Sequence, residues 1–209
     1  MTHVPTDVGA KPVPAGEARR DVKQSFSEDI PDVLLVPRHQ RASQKEYVGL
    51  QTLVERSVAR CRPMMDTFMH SLSVTAPTSD ATIFVDPLEI EQSIQIVLNN
   101  ASNYTPVGGK IECTAESHGN RAIVTIRDNG AGIDQKMLAR IFEPVAHTAF
   151  SNDRTVSGLA LAKELVEQND GSITALSAGI GRGSTFVIQF QSVPAATTAS
   201  SLQTSLFGE

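Results

Sequence analysis

The chain has 209 residues, 40% hydrophobic and 20% charged, which supports one sizeable folded domain with flexible ends and argues against global disorder. A net charge of -5 argues against a general nucleic-acid binder, which needs a basic face. The two cysteines, Cys61 and Cys113, sit in neither a CxxC pair nor a histidine-flanked metal spacing, so two reduced core thiols are expected.

Residues 1–45 are rich in Pro, Gly, Ala and charge, and only DVLLV (32–36) is apolar, so a flexible N-terminal segment is expected. It has no apolar core of a secretion signal. No apolar run approaches the ~18 residues of a membrane span, so the chain reads as cytoplasmic with no span. From residue 47 to 69, apolar residues recur at helical spacing and predict a long amphipathic helix. Short strands are expected at Leu72–Thr75 and Thr82–Val85. Asp86-Pro87 then opens a second helix, with Asp as the cap and Pro at the first helical position, running to about Tyr104. Alternating runs at Lys110–Glu116 and Arg121–Arg127 flank the turn SHGN and predict a hairpin. A short helix at about Gln135–Phe142, a polar stretch, a third long helix (GLALAKELVEQN) and two closing strands around GIGRG complete the body at about residue 191. The tail, 192–209, is small and polar and is expected to be disordered. The order predicts an α/β two-layer sandwich, three helices on a mixed, mostly antiparallel sheet.

Three stretches carry candidate chemistry. In RDNGAGI (127–133), Asp128 at a strand end can accept a hydrogen bond from an exocyclic amine, and Gly130 and Gly132 let backbone approach a flat ring. An ordinary strand-to-loop turn is the plain alternative. At the end of the second helix, Asn99, Asn100, Asn103 and Tyr104 offer a neutral amide suited to a phosphate-held Mg²⁺ and an aromatic for stacking. A frayed polar helix end is the alternative there. Gly158-Leu159 opens the third helix after IFEP and a polar loop, a place where free N–H groups favour phosphates. A surface loop before an amphipathic helix is the alternative.

Taken together, these stretches resemble the ATP-binding domain of bacterial sensor histidine kinases, the Bergerat fold shared with Hsp90-type chaperones, DNA gyrase subunits and anti-sigma kinases. The resemblance covers about residues 46–191. DPLEIEQSIQIVLNNASNYTPVGGKI resembles the N-box segment, DNGAGI the G1 box, IFEP the F box, and GLALAKELVEQNDGSI the end of the G2 box with its helix. The resemblance implies ATP and Mg²⁺ as ligands. It implies that Asp128 binds the adenine amine, that Gly130, Gly132 and Ile133 shape the base pocket, and that Tyr104 covers the base. It implies Asn100 as the Mg²⁺ ligand, Phe142 as anchor of the lid, and Gly158 and Leu159 as donors to the phosphates.

The sequence also departs from the family pattern. Ile96 stands where the first N-box asparagine belongs, and Asn103 where a basic residue reaches the phosphates. Arg154 and Val156 replace two G2 glycines, leaving Gly158. Arg154 is the cation that would fold back onto the γ-phosphate, or else a solvated lid arginine. None of His3, His39, His70, His118 and His147 lies in a phosphoacceptor motif, so no catalytic residue is assigned. The resemblance therefore implies a catalytic domain that donates the ATP γ-phosphate to a histidine outside this chain. That histidine would lie on a histidine-containing dimerisation domain or partner kinase, with a response regulator downstream. Two alternatives are a degenerate pseudokinase-type binding module and an anti-sigma-type serine kinase acting in trans. QTSLF (203–207) resembles short peptides that dock on sliding clamps.

Overall fold

Asp86 shows how locally the second helix is set. Its Oδ1 accepts the N–H groups of Leu88 (3.0 Å) and Glu89 (3.4 Å), and Pro87 occupies the first helical position. The cap satisfies donors that the helix itself cannot. The structure, a computed structural model, describes residues 42–76, 81–144 and 154–193, with 154–157 described by backbone only. Expectations for the N-terminal segment up to residue 41, most of the tail and the polar stretch 145–153 lie outside the described residues.

In chain order the elements are β1 (Glu46–Gly49), α1 (Leu50–Thr67), β2 (Ser71–Thr75), β3 (Thr82–Val85), α2 (Pro87–Tyr104), β4 (Lys110–His118), β5 (Arg121–Asp128), α3 (Gln135–Leu138), α4 (Arg154–Gln168), β6 (Ser172–Leu176) and β7 (Thr185–Gln191). The main sheet has the order β2-β4-β5-β7-β6. The β2–β4 pair is parallel and the others are antiparallel. Alternation along the strands turns Ile111, Cys113 and Ala115 of β4, Val124 and Ile126 of β5, and Phe186 and Ile188 of β7 toward the helices, where all are buried. They meet Leu53 and Val54 of α1, Ile90 and Ile94 of α2, and Leu159, Ala162 and Val166 of α4. The α/β sandwich expected from the sequence is the fold observed, with the one-turn α3 as a fourth helix among the described residues.

Several boundaries differ from expectation. The first helix begins at Leu50 rather than 47, because Glu46–Gly49 pairs antiparallel with Thr82–Val85 as a separate two-stranded sheet. Ring contact between Tyr47 and Phe84 (4.9 Å) and the bond from Leu50 N–H to the Ala81 carbonyl (2.9 Å) commit this backbone across the chain. α3 stops at Leu138, well short of Phe142.

Between α1 and α2, the Glu91 carboxylate, 1% exposed, lies 3.4 Å from Arg56 and 3.3 Å from Arg60. The two half-exposed guanidinium groups offset part of the cost of its burial, although Oε2 accepts no hydrogen bond among the described residues. Cys61 and Cys113 are free and buried. Burial pushes the Cys61 thiol up to about 12, with nearby Arg60 opposing, and burial and then Cys61 push Cys113 up to about 12. Thiols so far from ionisation are poor nucleophiles, which agrees with their reading as reduced core residues.

Candidate functional site

β5 ends where its pattern of buried alternate residues reaches a carboxylate. Asp128 follows Val124 and Ile126 on the helix-facing side and is 5% exposed. Its Oδ1 accepts the N–H of Gly130 (2.8 Å) and of Ser184 (3.3 Å), and its Oδ2 accepts the Ser184 hydroxyl. A carboxylate carries about four acceptor sites, so Oδ2 keeps capacity for one more donor. Ser184 was not singled out from the sequence. Its signal was the hydroxyl beside Gly183 at the start of a strand that pairs with β5.

The loop after Asp128 is tied to α2 and to the β6–β7 turn. Ala131 N–H bonds to the Tyr104 carbonyl (2.9 Å), and Gly181 N–H to the Ala131 carbonyl (2.7 Å). A Cβ on Gly130 would run into the Tyr104 carbonyl, and one on Gly132 into the Gly179 carbonyl. Gly132 also has φ +66°, a conformation that disfavours any other residue. Ile133 packs half-buried against the core, its N–H held by Ser177 Oγ (3.0 Å).

The last turns of α2 therefore stand beside the glycine loop. Asn100 lies one turn before Tyr104 and is 5% exposed, and its side chain makes no hydrogen bond among the described residues. Asn103 is exposed, and Tyr104 is 40% exposed, leaving ring surface open. Phe142 meets the core edge-on at Phe186, with ring centroids 6.3 Å apart.

α4 runs antiparallel to α2. Asn169 bonds Glu89 (2.7 Å), Ser93 Oγ reaches the Ala162 carbonyl (3.5 Å), and Ile96 Cγ2 lies 3.3 Å from where a Cβ on Gly158 would stand. This progression carries the N-terminal end of α4 toward the level of Asn100. The helix starts at Arg154, so Gly158 does not open it, correcting the sequence expectation. Gly158 sits in the second turn, where a helical N–H is directed at the carbonyl four residues back. The free N–H groups of the first turn belong to 154–157. Leu159 is 2% exposed and packs in the core. The lid residues 145–153 and the Arg154 side chain lie outside the described residues. Ile96, in the position of the missing asparagine, fills the α2–α4 contact at Gly158 with a hydrocarbon.

These residues form a polar, glycine-walled strand end next to a buried, unbonded amide. Asp128 offers an acceptor for an amine, Gly130 and Gly132 let the loop pack closely on the Tyr104 and Gly179 carbonyls, and Asn100 offers a neutral oxygen. The donor set fits an adenine nucleotide.

The sequence model of the histidine kinase-, DNA gyrase B- and HSP90-like ATPases matches residues 85–194. The alginate biosynthesis sensor protein KinB of Pseudomonas aeruginosa is 29% identical over 183 residues, 83% of this chain and 31% of its own length. The sensor histidine kinase RppB of Synechocystis is 35% identical over 171 residues, 78% of this chain and 37% of its own. The chain thus spans about a third of the length of these relatives. Its fold is similar to that of the mycobacterial sensor histidine kinase MprB, with a TM-score of 0.62 at 22% identity over 72% of this chain and 99% of that one. It is likewise similar to histidine kinase ThkA, solved in complex with the response regulator protein TrrA, with a TM-score of 0.64 at 17% identity over 88% of this chain and 53% of that one. The chain belongs to the histidine kinase-, DNA gyrase B- and HSP90-like ATPase family, and the relatives named here are sensor histidine kinases.

Proposed function

We propose that this domain holds ATP between the strand end at Asp128 and the end of α2, and presents its γ-phosphate to a histidine outside the chain. The observation that carries this is the buried Asp128 carboxylate, braced by Gly130 and Ser184 and left with acceptor capacity. Asp128 would take the exocyclic amine of adenine, and Gly130 and Gly132 would keep the floor of the base site bare. Ile133 and the Tyr104 ring would enclose the base, and Phe142 would hold the near end of the lid to the core.

Asn100 would help hold a Mg²⁺ that accompanies the nucleotide, an ion that would supply charge neutralisation during phosphoryl transfer. No group of three or more His, Cys, Asp or Glu side chains among the described residues forms a metal cage, so such an ion would be held mainly by the nucleotide. Arg154, and the first-turn N–H groups of α4, would face the phosphates in place of the lysine and glycines that the family pattern has there. Gly158 and Leu159 would support that end of α4 from within.

Neither described histidine suits the acceptor role. His70 is buried and bonded through Nε2 to the Ser102 carbonyl (3.1 Å), and His118 is paired with Glu116 in the β4–β5 turn (3.1 Å). The acceptor would then lie on a histidine-containing dimerisation domain or partner kinase, with a response regulator receiving the phosphoryl group. No helix of the described residues is long and apolar enough to cross a membrane, and the assignment is to a cytoplasmic part of the signalling protein. The named relatives are sensor kinases, which favours this reading over a serine kinase or a nucleotide-free module.

Calorimetric titration with ATP and ADP, each with and without Mg²⁺, tests it. Saturable ATP binding that strengthens with Mg²⁺, with Asn100→Ala erasing only the Mg²⁺-dependent part, is expected. No binding up to millimolar nucleotide would overturn the proposal.

A further inference from the structure

The sheet has a second polar feature at the same end, on the face turned away from the helices. Because side chains alternate across a strand, Lys110, Glu112 and Arg127 lie opposite to Ile111, Ile126 and the Asp128 carboxylate. Glu112 and Arg127 face each other across β4 and β5. Together with Asp128 and Asn129 at the end of β5, and with Gly181 and Arg182 of the β6–β7 turn, they line a cleft of about 380 Å³. Lys110, Arg127 and Arg182 are all exposed. None of the three is in an ion pair among the described residues.

This concentration of cations stands out in a chain of net charge -5. Three cations face the one exposed carboxylate, that of Glu112, since the Asp128 carboxylate is buried. Scattered surface lysines and arginines need no explanation, but three unpaired ones around one concavity repel each other unless an anion joins them. Asn129 adds to the set. Its Oδ1 is committed to Lys110 N–H (2.8 Å), while its Nδ2 makes no bond among the described residues.

From this geometry we propose that the cleft is a docking site for an acidic segment of a partner protein, bound in extended form. The charges are spread over two neighbouring strands and a turn, and do not converge on one point as they would around a single phosphate. Alternate residues on an extended chain repeat every ~6.6 Å, the spacing at which Lys110 and Glu112 follow each other on β4. An extended segment crossing β4, β5 and the β6–β7 turn can therefore carry several carboxylates past Lys110, Arg127 and Arg182. Arginine forks suit carboxylates in particular. Glu112 makes the cleft selective, since a partner needs a neutral or basic residue opposite it. The inference does not depend on the nucleotide reading: Asp128 borders the cleft, but its carboxylate is buried and bonded to Gly130 and Ser184.

The test is an amide-shift titration of the full chain with a short peptide of alternating glutamate and serine, and with its glutamine counterpart. Saturable binding is expected, with shifts centred on β4, the end of β5 and Arg182, and at least tenfold weaker for the glutamine peptide. The R127E/R182E double variant should weaken peptide binding at least tenfold and leave ATP affinity unchanged. Arg182→Gln alone, on an exposed turn, should weaken it severalfold and covers the case in which the double variant fails to fold. In Asp128→Asn, peptide binding should persist while nucleotide binding falls, which separates failure of this inference from failure of the nucleotide reading. Equal binding of both peptides, indifference to the arginine variants, or displacement by inorganic phosphate at equal concentration would overturn it, the last by showing a small-anion site instead.

Discussion

The strand end at Asp128 and the helix start at Arg154 both lie within the span matched by the family, yet they are held by different means. Around Asp128, backbone does the positioning. Gly130 is pressed against the Tyr104 carbonyl, Gly132 against that of Gly179, and the loop is bonded to α2 on one side and to the β6–β7 turn on the other. A change there must move main chain that several elements share. Toward Arg154, single side chains decide. Ile96 has replaced a polar residue and packs on Gly158, and Asn103 stands exposed where a cation belongs. Such positions change without disturbing the sheet. On the proposed reading, the base side keeps the residues that the family resemblance implies, and the departures fall on the phosphate side.

Four substitutions sharpen that contrast. Gly132→Ala should have the largest effect, because it combines a left-handed φ with a collision against backbone. About 2–4 kcal/mol of stability should be lost, read from urea denaturation, with nucleotide binding abolished. Asp128→Asn should weaken ATP roughly ten- to a hundredfold by calorimetry, the loss of a charge-assisted hydrogen bond worth ~1.5–3 kcal/mol. A normal affinity in that variant would break the contrast. On the phosphate side, Asn103→Lys should tighten ATP by about tenfold and leave the melting temperature nearly unchanged, since the position is exposed. Phe142→Ala should have the smallest effect. It gives up an edge-to-face contact with Phe186, worth ~0.5–1.5 kcal/mol beyond buried area, in differential scanning calorimetry.

The third of these also bears on affinity in the natural chain. On the proposed reading, an amide in place of a cation would leave the triphosphate charge for the ion and the start of α4 to meet. A comparison of ATP with ADP in Asn103→Lys reads this directly, because the added charge should favour the longer phosphate chain.

Much of the architecture was legible in the amino-acid sequence. Asp86-Pro87 announced α2 because capping and a pre-set φ act within a few residues. Alternation marked β4, β5 and β7, and the turn SHGN marked their hairpin, because one face of the sheet is buried and the other is wet. Asp128 and its glycines stood out because few residue types suit a bare strand end. Other features depend on partners distant in sequence. Strand β1 is a strand only because Thr82–Val85 lies beside it, so its residues were read as the start of a helix. Ser184 became visible as a partner of Asp128 only when β7 was laid against β5, since a serine after a glycine is unremarkable alone. The start of α4 lies at Arg154, ahead of Gly158, because the run RTVS has no glycine to interrupt the helix. The basic cleft joins Lys110, Arg127 and Arg182 from three separate stretches, and no local pattern connects them. Local propensity, capping and alternation are written in neighbouring residues, and these determined the elements and the kind of site. Which side chains share a pocket is set by strand pairing and helix packing across tens of residues, and this only the tertiary structure decided.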